Sequence, residues 1–557
     1  MSKDIPTRPV QVLRKYPIDG QVFKPMIEAG LTWLRTNQQT VNALNVFPVP
    51  DGDTGTNMVL TMQAAYDEIA NSAEYNVGKL AHAVAHGALM GARGNSGVIL
   101  SQLWRGFARG LDNHETLDAQ TLVNALHQGR NTAYKGVVRP VEGTILTVAK
   151  DTAAAAEIAL QETSDVYEIL EKLVPAADES VQRTPELLSV LRDAGVVVSG
   201  GKGLFFILEG MVRYINGLPL DSAVITIQPL SAMKIENLPD MIEPGQDYEV
   251  VVDFRPNEPL DLPTFYGILE QMGTSIQVGE GEGMYRMHIH VPTPKRYEPI
   301  EYTMSLGTVT KVLIENLVAQ MEDIEGEAEH RLNLAPVEPG QIAVVVVAPG
   351  PGIARVFASL GAAGIIEGGQ TMNPSTQEIL RSFENLPTDN VFILPNNKNI
   401  ILAAQAAAQL TVKNLTVIPS RTIPQGLAAI MHLMPEGEPK EVADEMIASL
   451  DDVISAEVTT ATRTVEIDGV KVTEGQIIAL LNGKLAVASD DLDEAVMKCL
   501  EQANAADYEL ISIFYGAEVL RQDVNLIADN IRQRYPKLEL EVKDGGQPHY
   551  HFIISIE

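Results

Sequence analysis

At 557 residues the chain has room for two to four domains, and its 45% hydrophobic content fits globular protein with several cores. A formal charge of −32 at pH 7 argues against a nucleic-acid backbone or an anionic membrane surface as partner, because either would repel it at long range. The single cysteine, Cys499, forbids an intrachain disulfide and a multi-cysteine zinc site. With no signal-peptide core in residues 1–20 and no run of about 18 apolar residues, the expected location is cytoplasmic, without a membrane span.

After a polar leader, Phe23, Met26, Ile27, Leu31 and Leu34 recur at helical intervals over residues 21–36. The stretch 45–58, NVFPVPDGDTGTNM, then places Asp51 and Asp53 two residues apart among prolines and glycines. An extended backbone would point both carboxylates to one side, a place to hold a hard cation such as Mg²⁺ or Ca²⁺. Thr54, Gly55, Thr56 and Asn57 follow at the start of a helix expected to about residue 70, where unpaired N–H groups would welcome phosphate. Counted from Asp51, the sixth position is Thr56 and the twelfth Met62, so this is not an EF-hand loop. The competing reading of DGDTG alone is a solvated turn that caps a helix.

Residues 77–90 predict a buried, alanine-rich helix with His82 and His86 on one face. The pair lacks the adjacent glutamate of a zincin helix, so packed or solvated histidines are expected. The turn GARGNSG at 91–97 breaks the helices before another begins. Gly94 and Gly97 let backbone approach a ligand closely, and Asn95 and Ser96 can donate to phosphate oxygens at the new helix's N-terminus. Arg93 reads either as a surface arginine or as a charge that neutralises a transferring phosphoryl group. No Walker A pattern occurs.

A linker at 216–219 is followed by β-branched and alternating runs at 250–254 and 285–291, so a middle α/β domain is expected. His288 and His290 share one face of their strand, and two structural histidines are expected. A second linker at 334–340 precedes IAVVVVA at 342–348, typical of a buried parallel strand. Strand and helix signals then alternate at 390–394, 399–410, 415–419 and 422–431, and a terminal strand carries His549 and His551, read as structural. The expected domains are 1–216, 220–333 and 340–557.

The wider stretch 41–58, VNALNVFPVPDGDTGTNM, resembles the nucleotide-binding signature of the bacterial fatty acid kinases, a family related to the ADP-binding subunit of dihydroxyacetone kinase. The segments 91–102, 135–148 and 194–203, and the words IEGGQTMNPS at 366–375 and LPNNKN at 394–399, carry the same resemblance onward. It implies an all-α antiparallel helix barrel that binds ATP through loops at one end, followed by α/β middle and C-terminal domains. It implies two Mg²⁺ ions on Asp51, Asp53 and Asn45, phosphates held by 54–57 and 94–97, and Thr144 near the base and ribose. Val198 departs from the family pattern, which has aspartate there. In the family a histidine pair like His288 and His290 binds zinc with a cysteine that this chain lacks, so the resemblance leaves Glu249 or Asp253 to substitute as an oxygen ligand.

The activity so implied is that of a phosphotransferase, an ATP- and Mg²⁺-dependent kinase with Asp51, Asp53 and Arg93 at its catalytic centre. It would phosphorylate the carboxylate of a fatty acid presented by a binding protein of the DegV type, as a homodimer. A carboxylate is ionised at pH 7 and needs no general base, and no base histidine stands beside 45–58. A dihydroxyacetone-like small-molecule kinase is the alternative within the class, and a nucleotide-binding scaffold without catalysis is the alternative outside it.

Overall fold

The structure is a computed structural model that describes residues 17–45, 52–137, 139–220, 228–229, 247–257, 260–281, 284–316, 332, 334–467 and 469–557. Asp51 lies outside the described residues. The chain divides into two compact units, one of residues 1–222 with 333–557 and one of residues 223–332.

The first unit begins with eight long helices: α1 (Gly20–Thr36), α2 (Thr54–Asp67), α3 (Val77–Met90), α4 (Gly94–Gly110), α5 (Ala119–Gly136), α6 (Ile145–Glu162), α7 (Val166–Leu187) and α8 (Ser199–Ile215). Each packs against the next, and α8 closes on α1, so the helices form a ring. Their inward faces supply one core, in which Phe23, Met26, Leu34, Met58 and Ile207 are at most 2% exposed. Burying a side chain of this size contributes about 1.5–3 kcal/mol. Phe23, Trp104 and Phe107 form an aromatic cluster with ring centroids 5.6–6.4 Å apart. Close helix contacts depend on glycine: a Cβ at Gly210 would stand 2.5 Å from the Ala29 carbonyl, and one at Gly106 2.3 Å from that of Gln128. Among the described residues no helix is long and apolar enough to cross a membrane.

The same unit continues with a four-stranded parallel sheet built from β1 (Ile342–Ala348), β2 (Gly364–Glu367), β3 (Asn390–Leu394) and β4 (Asn414–Val417), in the order β2-β1-β3-β4. Strand β1 is buried along its whole length, as its unbroken apolar run predicts. Helices α9 (Thr376–Glu384) and α10 (Ile401–Leu410) cover one face of the sheet and also meet the helical ring. Ala92 and Val98 of the ring belong to the same apolar cluster as Val345, Ile379, Ile393 and Ala403. A second sheet of six strands between Ile454 and Ile556 completes the unit; it is antiparallel except for one parallel edge pair. His551 lies on its central strand Tyr550–Ile556, but His549, with φ 67°, sits in the turn before it, so the two do not alternate on one strand.

The second unit holds a sheet whose main strands are β5 (Tyr248–Pro256), β6 (Thr274–Gly281), β7 (Met284–Val291) and β8 (Gly307–Asn316), in the order β6-β7-β5-β8. Alternation sorts its two faces. Val250, Val252 and Phe254 share a core with Phe265 of helix Leu262–Leu269, while Glu249 and Asp253 face the other way.

Candidate active site

In a ring of antiparallel helices, alternate helices begin at the same end. Helices α2, α4, α6 and α8 therefore start together, and their first residues meet. The hydroxyls of Thr54 and Ser199 are 3.4 Å apart. A Cβ at Gly200 would lie 3.4 Å from Ser96 Oγ and 3.5 Å from Ile145 Cβ. Four helix N-termini thus point into one region, each contributing about half a positive charge, which is a site for a polyanion such as a triphosphate. Side chains add little to this field. Arg93 is paired with Glu378 at 3.0 Å, and Lys202 with Asp178 at 2.9 Å.

Asp53 precedes α2 and is 9% exposed, yet its carboxylate does not cap the helix. Capping is done by Asn42, whose Oδ1 accepts from the backbone N–H of Gly55 at 2.7 Å and of Thr56 at 3.3 Å. The Thr56 hydroxyl accepts from Gln38 and Asn42, 2.9 and 3.2 Å away. The expected phosphate donors in 54–57 are therefore divided: Thr54 faces Ser199, whereas the Gly55 and Thr56 amides are occupied by Asn42. For the described part of DGDTG, residues 52–55, the helix is capped from upstream by Asn42, and Asp53 makes no capping bond. Asn45 is half-buried, and its N–H donates to the Asn42 carbonyl at 3.2 Å.

The second loop is held tightly. Gly94 has φ +56°, and a Cβ there would stand 2.6 Å from Asn57 Nδ2; one at Gly97 would stand 2.4 Å from Thr61 Oγ1. Arg93 does not point at open space. It donates to the Asn373 carbonyl and to Glu378 Oε1, both at 3.0 Å. Asn95 reaches Asn399 at 3.1 Å. Burial pushes the Glu378 carboxyl up, but the Ser375 backbone N–H and the Arg93 charge outweigh it and hold it below the usual glutamate range. Thr144 caps α6 through its hydroxyl, which accepts from the Leu146 N–H at 3.3 Å. Val198 sets one methyl against Gly201, where a Cβ would stand 2.6 Å from it, and its backbone N–H donates to Thr184 Oγ1 at 3.1 Å.

One residue of the loop after β2 and one in the first turn of α9 bear on Asp53 and Arg93. Asn373, 1% exposed, donates through Nδ2 to Asp53 Oδ2 at 2.5 Å, and Glu378 closes a capping box with Ser375 at the start of α9. The word IEGGQTMNPS contains Asn373, but sequence reasoning gives that residue no role, since contact across 320 residues leaves no local signal.

A separate cluster lies in the second unit. Glu249 pairs directly across the sheet with His290, and His288 follows on the same face. One ligand atom from each of the three falls within 4.8 Å of the others. His288 Nε2 is 3.1 Å from Glu249 Oε1, but neither ring nitrogen of His288 makes a hydrogen bond among the described residues. His288 is therefore not the satisfied strand histidine expected. Asp253 is consumed by a two-bond pair with Arg286 at 2.6 and 2.7 Å, which leaves Glu249 as the oxygen donor. His82 and His86, by contrast, are exposed and face Asp112 and Glu68.

Comparison with known proteins bears on the whole length. The DAK2 domain matches residues 48–213, the FakA-like middle domain of fatty acid kinase matches residues 243–324, and the FakA-like C-terminal domain of fatty acid kinase matches residues 343–557. Protein YloV of Bacillus subtilis (strain 168) is 39% identical over 551 residues, covering 97% of this chain and 99% of that protein. Among solved structures, a dihydroxyacetone kinase from C. freundii in complex with AMP-PNP and Mg²⁺ is similar at TM-score 0.28 and 17% identity, over 38% of this chain and 37% of that one. A DegV family protein, Cg2579 from Corynebacterium glutamicum, is similar at TM-score 0.31 and 18% identity, over 39% of this chain and 97% of that one. With three matched domains in register along the chain and a relative aligned end to end, the chain belongs to the FakA-like fatty acid kinase family.

Proposed function

We propose that the chain is an ATP- and Mg²⁺-dependent kinase that phosphorylates the carboxylate of a fatty acid presented by a binding protein of the DegV type. The observation that carries this reading is the convergence of four helix N-termini around Thr54, Ser96 and Ser199, with the buried Asp53 carboxylate at their edge. The helix starts bind and orient the phosphates. Asp53, with Asp51 and Asn45, would hold Mg²⁺, which when bound neutralises charge on the β- and γ-phosphates. An ionised carboxylate oxygen attacks the γ-phosphorus, the bond to the ADP oxygen breaks, and acyl phosphate and ADP leave with no proton to transfer. Such an acceptor asks no general base of the residues around Asp53. A homodimer belongs to the same reading.

In the second unit, Glu249, His288 and His290 are suited to a zinc ion: two nitrogens and a carboxylate oxygen meet on one sheet face, and the Glu249 oxygens and His288 nitrogens are buried without hydrogen bonds among the described residues. The metal would be structural and stands apart from the transfer chemistry.

The test is MgATP turnover by the full chain with a fatty-acid-loaded DegV-type protein, with dihydroxyacetone, and with neither. Acyl phosphate formed only with the loaded partner, and reduced about 100-fold or more in Asp53→Asn, is the expected result. Dihydroxyacetone phosphate would replace this reading with the small-molecule kinase, and nucleotide binding without product in any mixture would replace it with the scaffold.

A further inference from the structure

The kinase site is not built by the helical ring alone. Asn373 arrives from the loop after β2, is 1% exposed, and gives its Nδ2 to Asp53. Its other end is the unusual part: Asn373 Oδ1 is buried and has no hydrogen-bond partner among the described residues. A buried carbonyl oxygen left unpaired costs about 1–3 kcal/mol, so a position that keeps one calls for an occupant.

The loop is held as a rigid mount. Arg93 binds the Asn373 carbonyl at 3.0 Å and Glu378 at 3.0 Å. Glu378 Oε2 in turn accepts the Ser375 N–H at 2.6 Å, and the Thr376 N–H donates to the Ala92 carbonyl at 3.2 Å. Gly94 packs beside the group, and a Cβ there would meet Asn373 Nδ2 at an ordinary contact distance of 3.6 Å. These bonds fix the Asn373 backbone against the Gly91–Gly94 turn and leave only its carboxamide to rotate. A half-turn of that group exchanges an N–H donor for an oxygen donor without moving another atom.

We infer that Asn373 is a residue of the phosphoryl-transfer site, supplied by the C-terminal region: its side-chain oxygen is a donor to the divalent cation held at Asp53. Without the cation, the amide N–H stabilises the buried Asp53 carboxylate. With it, the oxygen end serves, so the cation ties the helical ring to the C-terminal sheet. The inference rests on the kinase reading of Asp53 and deepens it.

The experiment measures Mn²⁺ affinity of the full chain with ADP present, by electron paramagnetic resonance, alongside the melting temperature with and without Mn²⁺. Asn373→Ala is expected to weaken Mn²⁺ binding about tenfold. Asn373→Asp keeps the oxygen and loses the N–H. It is expected to melt lower than wild type without Mn²⁺, from carboxylate repulsion with Asp53, and to recover on Mn²⁺ addition with affinity within about threefold of wild type or tighter. Unchanged affinity in Asn373→Ala, or affinity in Asn373→Asp no better than in Asn373→Ala, overturns the inference. Where the alanine variant fails to fold, the near-isosteric aspartate variant decides alone: affinity at or above the threefold limit supports it, and a larger loss overturns it. Asp53→Asn separates the two levels. If wild type binds Mn²⁺–ADP and Asp53→Asn does not, Asp53 stands as a cation ligand whatever Asn373 does; if wild type does not bind, the cation site at Asp53 on which the inference rests has itself failed.

Discussion

Glu378 shows how one side chain can serve fold and site at once. Its two oxygens divide between Arg93 and the Ser375 N–H, so it fixes both the Arg93 turn and the start of α9. Because its carboxyl is held below the usual glutamate range in the folded chain, the stability it adds is present above that range and is lost as pH falls through the folded value. Its side chain is 42% exposed, so the contribution is screened. Glu378→Gln is expected to lose about 1–2 kcal/mol at pH 7 in urea unfolding, and the gap from wild type is expected to close below the ordinary glutamate range. A gap that stays constant down to acid pH would show that packing, not charge, holds the clasp. Little of this is legible in the sequence. Arg93 reads equally well there as a surface residue or as a phosphoryl contact, because nothing near it in sequence carries the carboxylate it meets 285 residues on.

At the scale of elements, the helix starts decide where positive charge gathers. Periodicity places α1 to α4 within a few residues, and the break at 91–97 falls where α4 begins with Gly94 in a left-handed conformation. Gly94→Ala combines a positive φ with a Cβ 2.6 Å from Asn57 Nδ2, so a loss of about 2–4 kcal/mol is expected from denaturant unfolding of the full chain. A cost under about 0.5 kcal/mol would mean that the turn adapts and that the crowding around Asn57 and Asn373 is loose. The short helix Gln38–Asn42 carries no comparable signal. Its Asn42 lies inside the nucleotide-binding signature, but capping of α2 from so far upstream depends on a loop closure that no spacing rule describes. The same limit explains the divided phosphate donors of residues 54–57.

For the whole molecule, the structure's two units give the clearest expectation. The helical ring and the C-terminal sheets share an apolar cluster and the Asp53–Asn373 bond, so they should unfold together, while residues 223–332 unfold by themselves. Calorimetry is expected to show two transitions rather than three, with only the one of residues 223–332 raised by Zn²⁺ and not raised in Glu249→Ala; at a zinc concentration of 100 times Kd the gain is about 2.7 kcal/mol. A single transition, or a zinc shift that survives Glu249→Ala, would count against this division of roles. By itself the sequence determined what repeats locally or is written in a contiguous word: the helical periods, the parallel strand Ile342–Ala348, the Asp-Gly-Asp loop, the Gly-rich turn and the histidine pair. Tertiary structure alone decided that four helix starts converge, that Asn42 rather than Asp53 caps α2, that Glu249 rather than Asp253 joins the histidines, and that Asn373 reaches Asp53. The physical reason is range: periodicity and turn chemistry act over a few residues, whereas a hydrogen bond between residues 53 and 373 exists only once the whole chain has closed around it.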